Sequence, residues 1–273
     1  HEGDAMARLM SMIMAVFMLV PILAPALGSG LMHIFPWRVV FWLPAAMSLV
    51  MMLWARRLPE TLDPANRRAF SVRSVLTAGK EVVTHRQAMA MTIAMTFLYS
   101  SMTAYLSSSE VILSDVYGYG DWFPLFFAVI AVLFAANSLF NARLVQRIGV
   151  IRLVRRMSTI GLALCVVFFV VSLTHGGVPN FWVFAVGIGL AMPMVQGLGS
   201  NCNTVAMTPL PHVAGTASAI IATLTTAGGA LFGGIAASAF DGTVRPFAAY
   251  LLGFAALAAA CVFWGTSGTR RTH

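Results

Sequence analysis

Long apolar stretches recur along the chain, and shorter polar segments separate them. A helix needs about 20 apolar residues to cross the hydrocarbon core of a bilayer. Eight stretches meet this requirement, so the pattern predicts an all-α polytopic membrane protein. The predicted spans are residues 9–32, 37–55, 88–109, 122–142, 157–174, 181–203, 215–239 and 247–266.

The longest polar segment, residues 56–86, separates two spans from six. It begins with RRLPETLDPANRR and continues with SVRSVLTAGKEVVTHR, whose mixed pattern predicts an amphipathic helix on the membrane surface. The division into two and six spans predicts a boundary between two repeats, the first of them represented by its last two helices. We therefore expect residues 1–55 to be the end of one helical bundle, residues 56–86 to be a linker, and residues 87–273 to be a six-helix bundle with a tail.

Composition agrees with a membrane location, because 59% of the residues are hydrophobic and only 10% are charged. A soluble domain averages about 25% charged residues. The formal net charge of +8 comes from lysine and arginine residues, nearly all of which lie on one side of the predicted membrane. The connections between spans on the other side contain only Arg38 and Arg245. The positive-inside rule then places the basic side, and both ends of this chain, in the cytoplasm. The basic excess is a topology signal and predicts no nucleic-acid partner.

The sequence predicts neither an enzyme nor a cofactor site. It contains no P-loop, no G-x-S-x-G, no H-E-x-x-H and no pair of acids within a span. Cys165, Cys202 and Cys261 lie apart from one another in apolar surroundings, so we expect packing residues rather than a disulfide or a metal site. His212, after two prolines in TPLPHVAGTASA, is expected to cap a helix or to form a hydrogen bond at a gate.

Two spans are unusually rich in helix-breaking or small residues. VPILAPALGSG holds Pro21, Pro25, Gly28 and Gly30, a pattern that fits a kinked hinge or seal, or alternatively a tight packing face. TTAGGALFGG places two glycines four residues apart, and this spacing predicts close helix packing through Gly229 and Gly233.

Glu110 has span-like sequence on both sides, and an ionisable group in a membrane is a candidate functional residue. Its carboxyl would bind a proton or a cationic substrate, or it would lie solvated at the outer rim, and the sequence leaves both open. Amide side chains near spans would bond neighbouring helices or line a polar cavity. These are Asn137, Asn141, Gln196, Asn201 and Asn203.

The segments RLMSMIMAVFMLVPILAPALGSGL, WRVVFW and RRLPETL resemble the fifth and sixth helices of drug-exporting members of the major facilitator superfamily, in particular Bcr/CflA-type multidrug transporters. In that family the fifth helix carries a Gly/Pro-rich antiporter motif that seals the interface between the two halves. Pro21, Pro25, Gly28 and Gly30 match this motif.

Two further segments extend the resemblance. NARLVQRIGVIRLVRR resembles the second-half copy of the family's cytoplasmic gating loop, with Gln146 where the pattern often has an acid. The gate residues that the resemblance implies are Arg143, Arg147, Gly149 and Arg152. NCNTVAMTPLPHVAGTASAI keeps an Asn-x-Asn pair, Asn201 and Asn203, but has Thr208 at an expected acidic position.

The resemblance implies a twelve-helix fold of two six-helix bundles around a central cavity, with these eight spans as helices 5 to 12. It implies proton-coupled export of small amphipathic drugs or metabolites across an inner membrane by a protein that is monomeric at full length. The implied cavity residues are Glu110, Asn201, Asn203, Gln196, Tyr99 and Tyr105. Two alternatives stay open, which are an uptake carrier for a nutrient or metabolite on the same fold and a non-transporting remnant.

Overall fold

We describe the fold from a computed structural model, which covers residues 28, 30–32, 34–57, 72–174 and 176–267. These residues are almost entirely helical and contain no strand. The main helices are α1 (Val39–Ala55), α2 (Val72–Thr84), α3 (Arg86–Val111), α4 (Phe123–Ile148), α5 (Val150–Thr174), α6 (Phe181–Met207), α7 (Ala214–Ser238) and α8 (Arg245–Thr266). A π-helical turn, Ile112–Val116, extends α3, and 3-10 turns at Gly120–Trp122 and Pro211–Val213 lead into α4 and α7.

Six of these helices, α3 to α8, are long and apolar enough to cross a membrane, which confirms the predicted all-α membrane class. The shorter α1 matches the predicted span 37–55, whereas most of the predicted span 9–32 lies outside the described residues. Several helices extend past the predicted spans into polar flanks. For example, α5 begins at Val150 rather than near residue 157, because Arg152, Arg155 and Arg156 continue the helix although they end the apolar run.

The chain divides into two compact units. Within the described residues, the first unit contains α1 and residues 124–131, and the second contains residues 72–123 and 132–267. In the first unit, α1 includes Pro44 and has no buried residue. Just before this helix, Cζ of Arg38 lies 5.0 Å from the centroid of the Trp37 ring. The second unit holds the features described below.

Helix α3 is the centre of the second unit, because it packs against α6, α7 and α8. Its sequence is rich in serine and threonine, which would be costly to bury without hydrogen bonds. The hydroxyls of Thr92, Ser100 and Ser101 each donate to the carbonyl four residues earlier, so the helix satisfies these buried groups internally.

Glycines on α7 allow that helix to approach α3 closely. A Cβ added at Gly229 would lie 2.5 Å from Cδ1 of Tyr99. A Cβ at Gly233 would lie 2.5 Å from Cβ of Thr103 and 2.7 Å from the backbone oxygen of Ser100. Such separations are far below van der Waals contact, so only glycine fits these two positions without movement of the helices.

One end of the second unit, where α3, α5 and α7 begin, carries most of its arginines, and we call it the arginine-rich end. Two of these arginines cap the last turn of α8. Arg86 donates to the carbonyl of Trp264 at 2.6 Å, and Arg155 donates to the hydroxyl and the carbonyl of Thr266 at 2.8 and 3.0 Å. Cations stabilise the last carbonyls of a helix, because those groups have no partner within it and carry partial negative charge.

The amphipathic helix predicted in the linker is α2, and its apolar side faces the bundle. Val82 is fully buried, and a Cβ added at Gly79 would lie 3.5 Å from Cδ1 of Ile220 on α7. Glu81 contacts the imidazole Nε2 of His212, in the turn before α7, at 2.6 Å. His212 therefore joins α2 to the turn before α7 and does not cap α7, whose start has no side-chain cap, while a role at a gate stays a prediction.

At the end of the second unit opposite the arginine-rich end, hydrogen bonds from Tyr117 and Thr243 stabilise the connections between helices. The hydroxyl of Tyr117 donates to the carbonyl of Pro179 at 2.9 Å, and burial raises the pKa of Tyr117 to about 12. In the turn before α8, the hydroxyl of Thr243 donates to Asp241 at 2.7 Å, which lowers the pKa of Asp241.

Candidate functional site

The second unit has polar side chains on exposed faces of two of its long helices, α3 and α6. On α6, four exposed polar residues follow the three-to-four spacing of one helix face, and they are Gln196, Ser200, Asn203 and Thr204. On α3, Tyr99, Ser107 and Glu110 are exposed at similar spacing. Lipid does not satisfy polar groups, so these faces are suited to water, a solute or polar protein rather than to acyl chains.

The predicted cavity residues lie at different depths. Gln87, at the start of α3, donates to the carbonyl of Val205, near the end of α6, at 2.9 Å, and this bond sets the register of the two antiparallel helices. From that level Glu110 lies about 35 Å further along α3, at 1.5 Å per residue. Because a hydrocarbon core is about 30 Å thick, Glu110 lies at the end opposite Asn201 and Asn203. The structure thus does not bring these predicted residues together.

Asn201 points into the bundle and is buried. Its amide nitrogen donates to Asn141 Oδ1 at 2.7 Å, and the amide of Asn141 donates back to Asn201 Oδ1 at 3.3 Å. The nitrogen of Asn201 also lies 3.4 Å from the sulfur of Met157. This geometry is the interhelical alternative stated above, and a role for Asn201 in substrate binding stays a prediction.

A second amide joins α4 to α6 one turn further along. Asn137 donates to the carbonyl of Pro193 at 2.7 Å. A Cβ at Gly197 would lie 2.6 Å from the nitrogen of Asn137, so the missing side chain makes room for this bond. Asn137 and Asn141 thus join α4 to α6 at two levels, at the carbonyl of Pro193 and at Asn201 two turns beyond it.

Replacing either member of the Asn141–Asn201 pair by leucine is expected to weaken the bundle. Removing one amide leaves its partner buried, and interhelical hydrogen bonds in membranes contribute about 0.6–2 kcal/mol. A double-mutant cycle on thermal unfolding in detergent should give a coupling free energy in this range. The exposed Asn203→Leu serves as the control on the same helix. Strictly additive effects of N141L and N201L would contradict the pairing.

The remaining predicted residues occupy varied environments. Tyr105 is buried within the bundle, and Tyr99 is half exposed with its ring against Gly229. Gly28 and Gly30 are helical, and no described atom lies within 4 Å of a Cβ built on either, while Pro21 and Pro25 lie outside the described residues.

The predicted gate residues lie at the arginine-rich end. Arg143, Arg147 and Arg152 are exposed. Gly149 ends α4 with φ of 79°, a left-handed conformation that glycine adopts most easily, and so permits the tight turn into α5.

Two residues of the arginine-rich end were missed by the sequence reasoning. Arg86 and Arg155 were counted only as topology signals, yet both bond the last turn of α8. A single sequence offers no signal for these contacts, since the partners are more than 100 residues apart. Cys165 and Cys202 are buried, and within the described ranges no group of His, Cys, Asp and Glu is arranged to hold a metal ion.

Six helices long and apolar enough to cross a membrane, two of them with polar exposed faces, define a multi-pass membrane protein. Residues 2–234 match the family model described as Major Facilitator Superfamily, and the chain belongs to this family. Its family is one of transporters rather than enzymes.

Individual relatives support the family assignment. The chain is 25% identical over 248 residues to the "Bicyclomycin resistance protein homolog" of Haemophilus influenzae, covering 89% of this chain and 61% of the relative. It is 31% identical over 206 residues to "Multidrug resistance protein MdtM" of Escherichia coli O157:H7, covering 68% of this chain and 47% of the relative. A Bacillus subtilis protein, "Uncharacterized MFS-type transporter YdgK", is 23% identical over 230 residues. The chain spans about half to three fifths of the length of these relatives.

Proposed function

We propose that this chain forms part of a proton-coupled exporter of small amphipathic compounds in an inner membrane. In this proposal residues 1–55 supply the last two helices of the N-terminal bundle, residues 56–86 the cytoplasmic linker, and residues 87–273 the C-terminal bundle. Both ends of the chain are cytoplasmic, and the complete protein acts as a monomer. Alternating access of a central site then requires both bundles.

The observation that carries the proposal is the polar exposed face on helices long enough to cross a membrane. Gln196, Asn203 and Ser107 would each be costly in contact with lipid, so a hydrated pathway beside α3 and α6 is the natural environment for them. The half-exposed ring of Tyr99 adds an apolar surface to this face. A pathway with polar side chains and one aromatic ring suits a solute that is itself amphipathic.

The direction of transport in the proposal rests on the relatives. One is named for bicyclomycin resistance and another for multidrug resistance. The Pro21, Pro25, Gly28 and Gly30 motif and the gate residues Arg143, Arg147, Gly149 and Arg152 are proposed to have the hinge and gating roles that the family resemblance implies. Uptake of the probe into intact cells, rather than extrusion, would overturn the export direction.

Glu110 is proposed to carry the coupling proton at the outer end of the pathway. We expect Glu110→Gln to abolish proton flux that depends on substrate, because an amide cannot exchange a proton, while the protein still folds. The measurement uses the complete reading frame that contains this chain, in everted membrane vesicles. Collapse of an imposed pH gradient is followed when a lipophilic cationic dye such as ethidium is added.

The matched control is Asp121→Asn, an exposed acid at the same end of the second unit. It removes the same charge from the same region, so general electrostatic effects appear in both variants. Unchanged coupled flux in E110Q at normal expression would place Glu110 at a solvated rim without a part in coupling. Loss of flux in both variants would indicate a requirement for surface charge instead.

A further inference from the structure

Tyr99 on α3 and Gln196 on α6 lie at nearly the same depth in the bundle. The hydrogen bond between Gln87 and the carbonyl of Val205 gives the two helices a common level. From that level Tyr99 lies twelve residues along α3, about 18 Å, and Gln196 lies nine residues back along α6, about 13.5 Å. Both residues are near the midpoints of their helices. The two side chains therefore lie about halfway between the ends of the bundle.

Both side chains are directed away from the interior of the bundle. A small cavity between α3, α5, α6 and α8 marks that interior, and Leu198 is among its lining residues. Gln196 lies two residues before Leu198, so the two side chains are about 160° apart around α6. On α3, Ala90 packs against Gly265 of α8, and Tyr99 follows nine residues later, on the opposite side of the helix. Because α3 also packs against α6 and α7, Tyr99 lies in the sector that these two helices flank.

The ring of Tyr99 is held in one position by α7. A Cβ added at Gly229 would lie 2.5 Å from Cδ1 and 2.9 Å from Cβ of Tyr99, so the glycine is the seat against which this side chain packs. Tyr99 nevertheless remains 46% exposed. A ring that is fixed on one side and open on the other loses little freedom when a second aromatic ring stacks on it.

The amide of Gln196 is the exposed hydrogen-bonding group at this depth on α6. It offers two N–H donors and one carbonyl acceptor, and within the described residues it has no hydrogen-bond partner. Ser200, one turn further along, donates its hydroxyl to the carbonyl of Gly197 and so is already bonded within the helix. Residues 87–109 of α3 and the whole of α6 and α7 contain no Lys, Arg, Asp or Glu. This part of the face therefore recognises a solute by hydrogen bonding and stacking rather than by charge.

We propose that Tyr99 and Gln196 together bind a solute in which an aromatic ring carries an uncharged hydrogen-bonding group, such as an amide, a sulfonamide or a hydroxyl. The aromatic ring stacks on the open side of Tyr99, and the polar group exchanges hydrogen bonds with the amide of Gln196. The two residues differ by only about 4.5 Å in depth, so one small molecule contacts both. This inference rests on the proposed transport function and names the part of the substrate that the second unit recognises.

The test measures binding to the full-length protein in detergent with two uncharged fluorescent probes. Dansylamide carries a sulfonamide on a dimethylaminonaphthalene ring, and N,N-dimethyl-1-naphthylamine is the same ring system without the sulfonamide. We expect the wild type to bind dansylamide about tenfold more tightly, because it gains one or two hydrogen bonds. Gln196→Met keeps the length of the side chain but forms none of these hydrogen bonds, and it should bind the two probes with equal affinity.

The stacking contact is tested separately. Tyr99→Ala should weaken the binding of both probes about fivefold, whereas Tyr99→Phe, which keeps the ring, should retain both affinities. Leu190→Ala, which trims another exposed side chain of α6, is the matched control and should change neither affinity. If Q196M does not fold, Gln196→Ala takes its place.

Three results would overturn the proposal. They are an equal loss of affinity for both probes in Q196M, no loss for either probe, and a wild type that binds neither probe saturably. Binding in detergent needs no proton gradient, so it is read separately from the flux assay. Coupled flux with ethidium in the wild type, together with unchanged probe selectivity in Q196M, would reject this site and leave the proposed transport function standing. Probe selectivity that depends on Gln196 in a protein without coupled flux would do the reverse.

Discussion

Replacing Gly233 by leucine is expected to prevent the bundle from assembling correctly. The new Cβ would lie 2.7 Å from the backbone oxygen of Ser100 and 2.5 Å from Cβ of Thr103, and neither of these atoms can move without α3 itself. Overpacking in a core typically costs about 1–3 kcal/mol, and contact with backbone places this substitution at or above the upper end. Fluorescence-detected size-exclusion chromatography after heating should show little folded G233L protein.

The neighbouring Gly234 supplies the control for this experiment. It is exposed, and no described atom lies within 4 Å of a Cβ built there. Glycine is less favourable in a helix than alanine by about 0.8–1 kcal/mol, and leucine ranks just below alanine, so G234L should be at least as stable as the wild type. Equal stability of G233L and G234L would show that α3 and α7 do not pack through this face.

Replacing Arg155 by methionine is expected to lower stability by about 2–4 kcal/mol. Thr266 is buried, and its hydroxyl and carbonyl both accept hydrogen bonds from the guanidinium. Methionine retains much of the aliphatic volume but donates no hydrogen bond. The buried Thr266 carbonyl loses its charged donor, at about 1–3 kcal/mol, and the hydroxyl, which still donates to the carbonyl of Val262, loses one hydrogen bond, at about 0.5–1.5 kcal/mol. Thermal unfolding of the purified protein in detergent is the measurement.

Arg156→Met tests whether the effect comes from charge alone. Arg156 is the next residue along the chain, is exposed, and lies at the same end of α5. Removal of its charge should change stability by less than about 0.5 kcal/mol, as for most surface substitutions. Arg155→Lys should restore only part of the loss, because an ammonium cannot copy the planar fork of the guanidinium. A loss of stability in R156M as large as in R155M would contradict the capping role.

Hydropathy was sufficient to predict the six long helices α3 to α8 from the sequence, because a bilayer imposes a length and an apolar composition on every spanning segment. The amphipathic pattern of residues 72–84 likewise predicted α2. Helix ends were less accurate, since the charged flanks of α5 continue the helix beyond the apolar run. The packing role of Gly229 and Gly233 follows from their spacing, but only the fold shows that α3 is the helix they face.

The candidate site was harder to predict than the fold. Glu110 and Asn201 are both polar residues within spans, and the sequence does not show that α3 and α6 are antiparallel with Gln87 beside Val205. That register places the two residues at opposite ends of the bundle. Sequence alone also cannot tell which side of α6 faces its neighbours, so the buried Asn201 and the exposed Asn203 look equivalent. The pairing of α3 with α6 decides how far apart Glu110 and Asn201 lie, and the rotation of α6 about its axis decides which asparagine is buried. Both depend on contacts between distant segments of the chain.

The central position of α3 has a consequence for how the protein is made. Of the six long helices α3 is the least apolar, yet it is the first of these six to leave the ribosome. Its packing partners α6, α7 and α8 follow only after Phe181, which at about 5–20 residues per second corresponds to a delay of roughly 5–20 s. During that interval the polar side chains of α3 have no bundle around them. We therefore expect the nascent chain to depend on an insertion factor that shields α3 until α8 is complete, and synthesis without one to yield protein that is degraded.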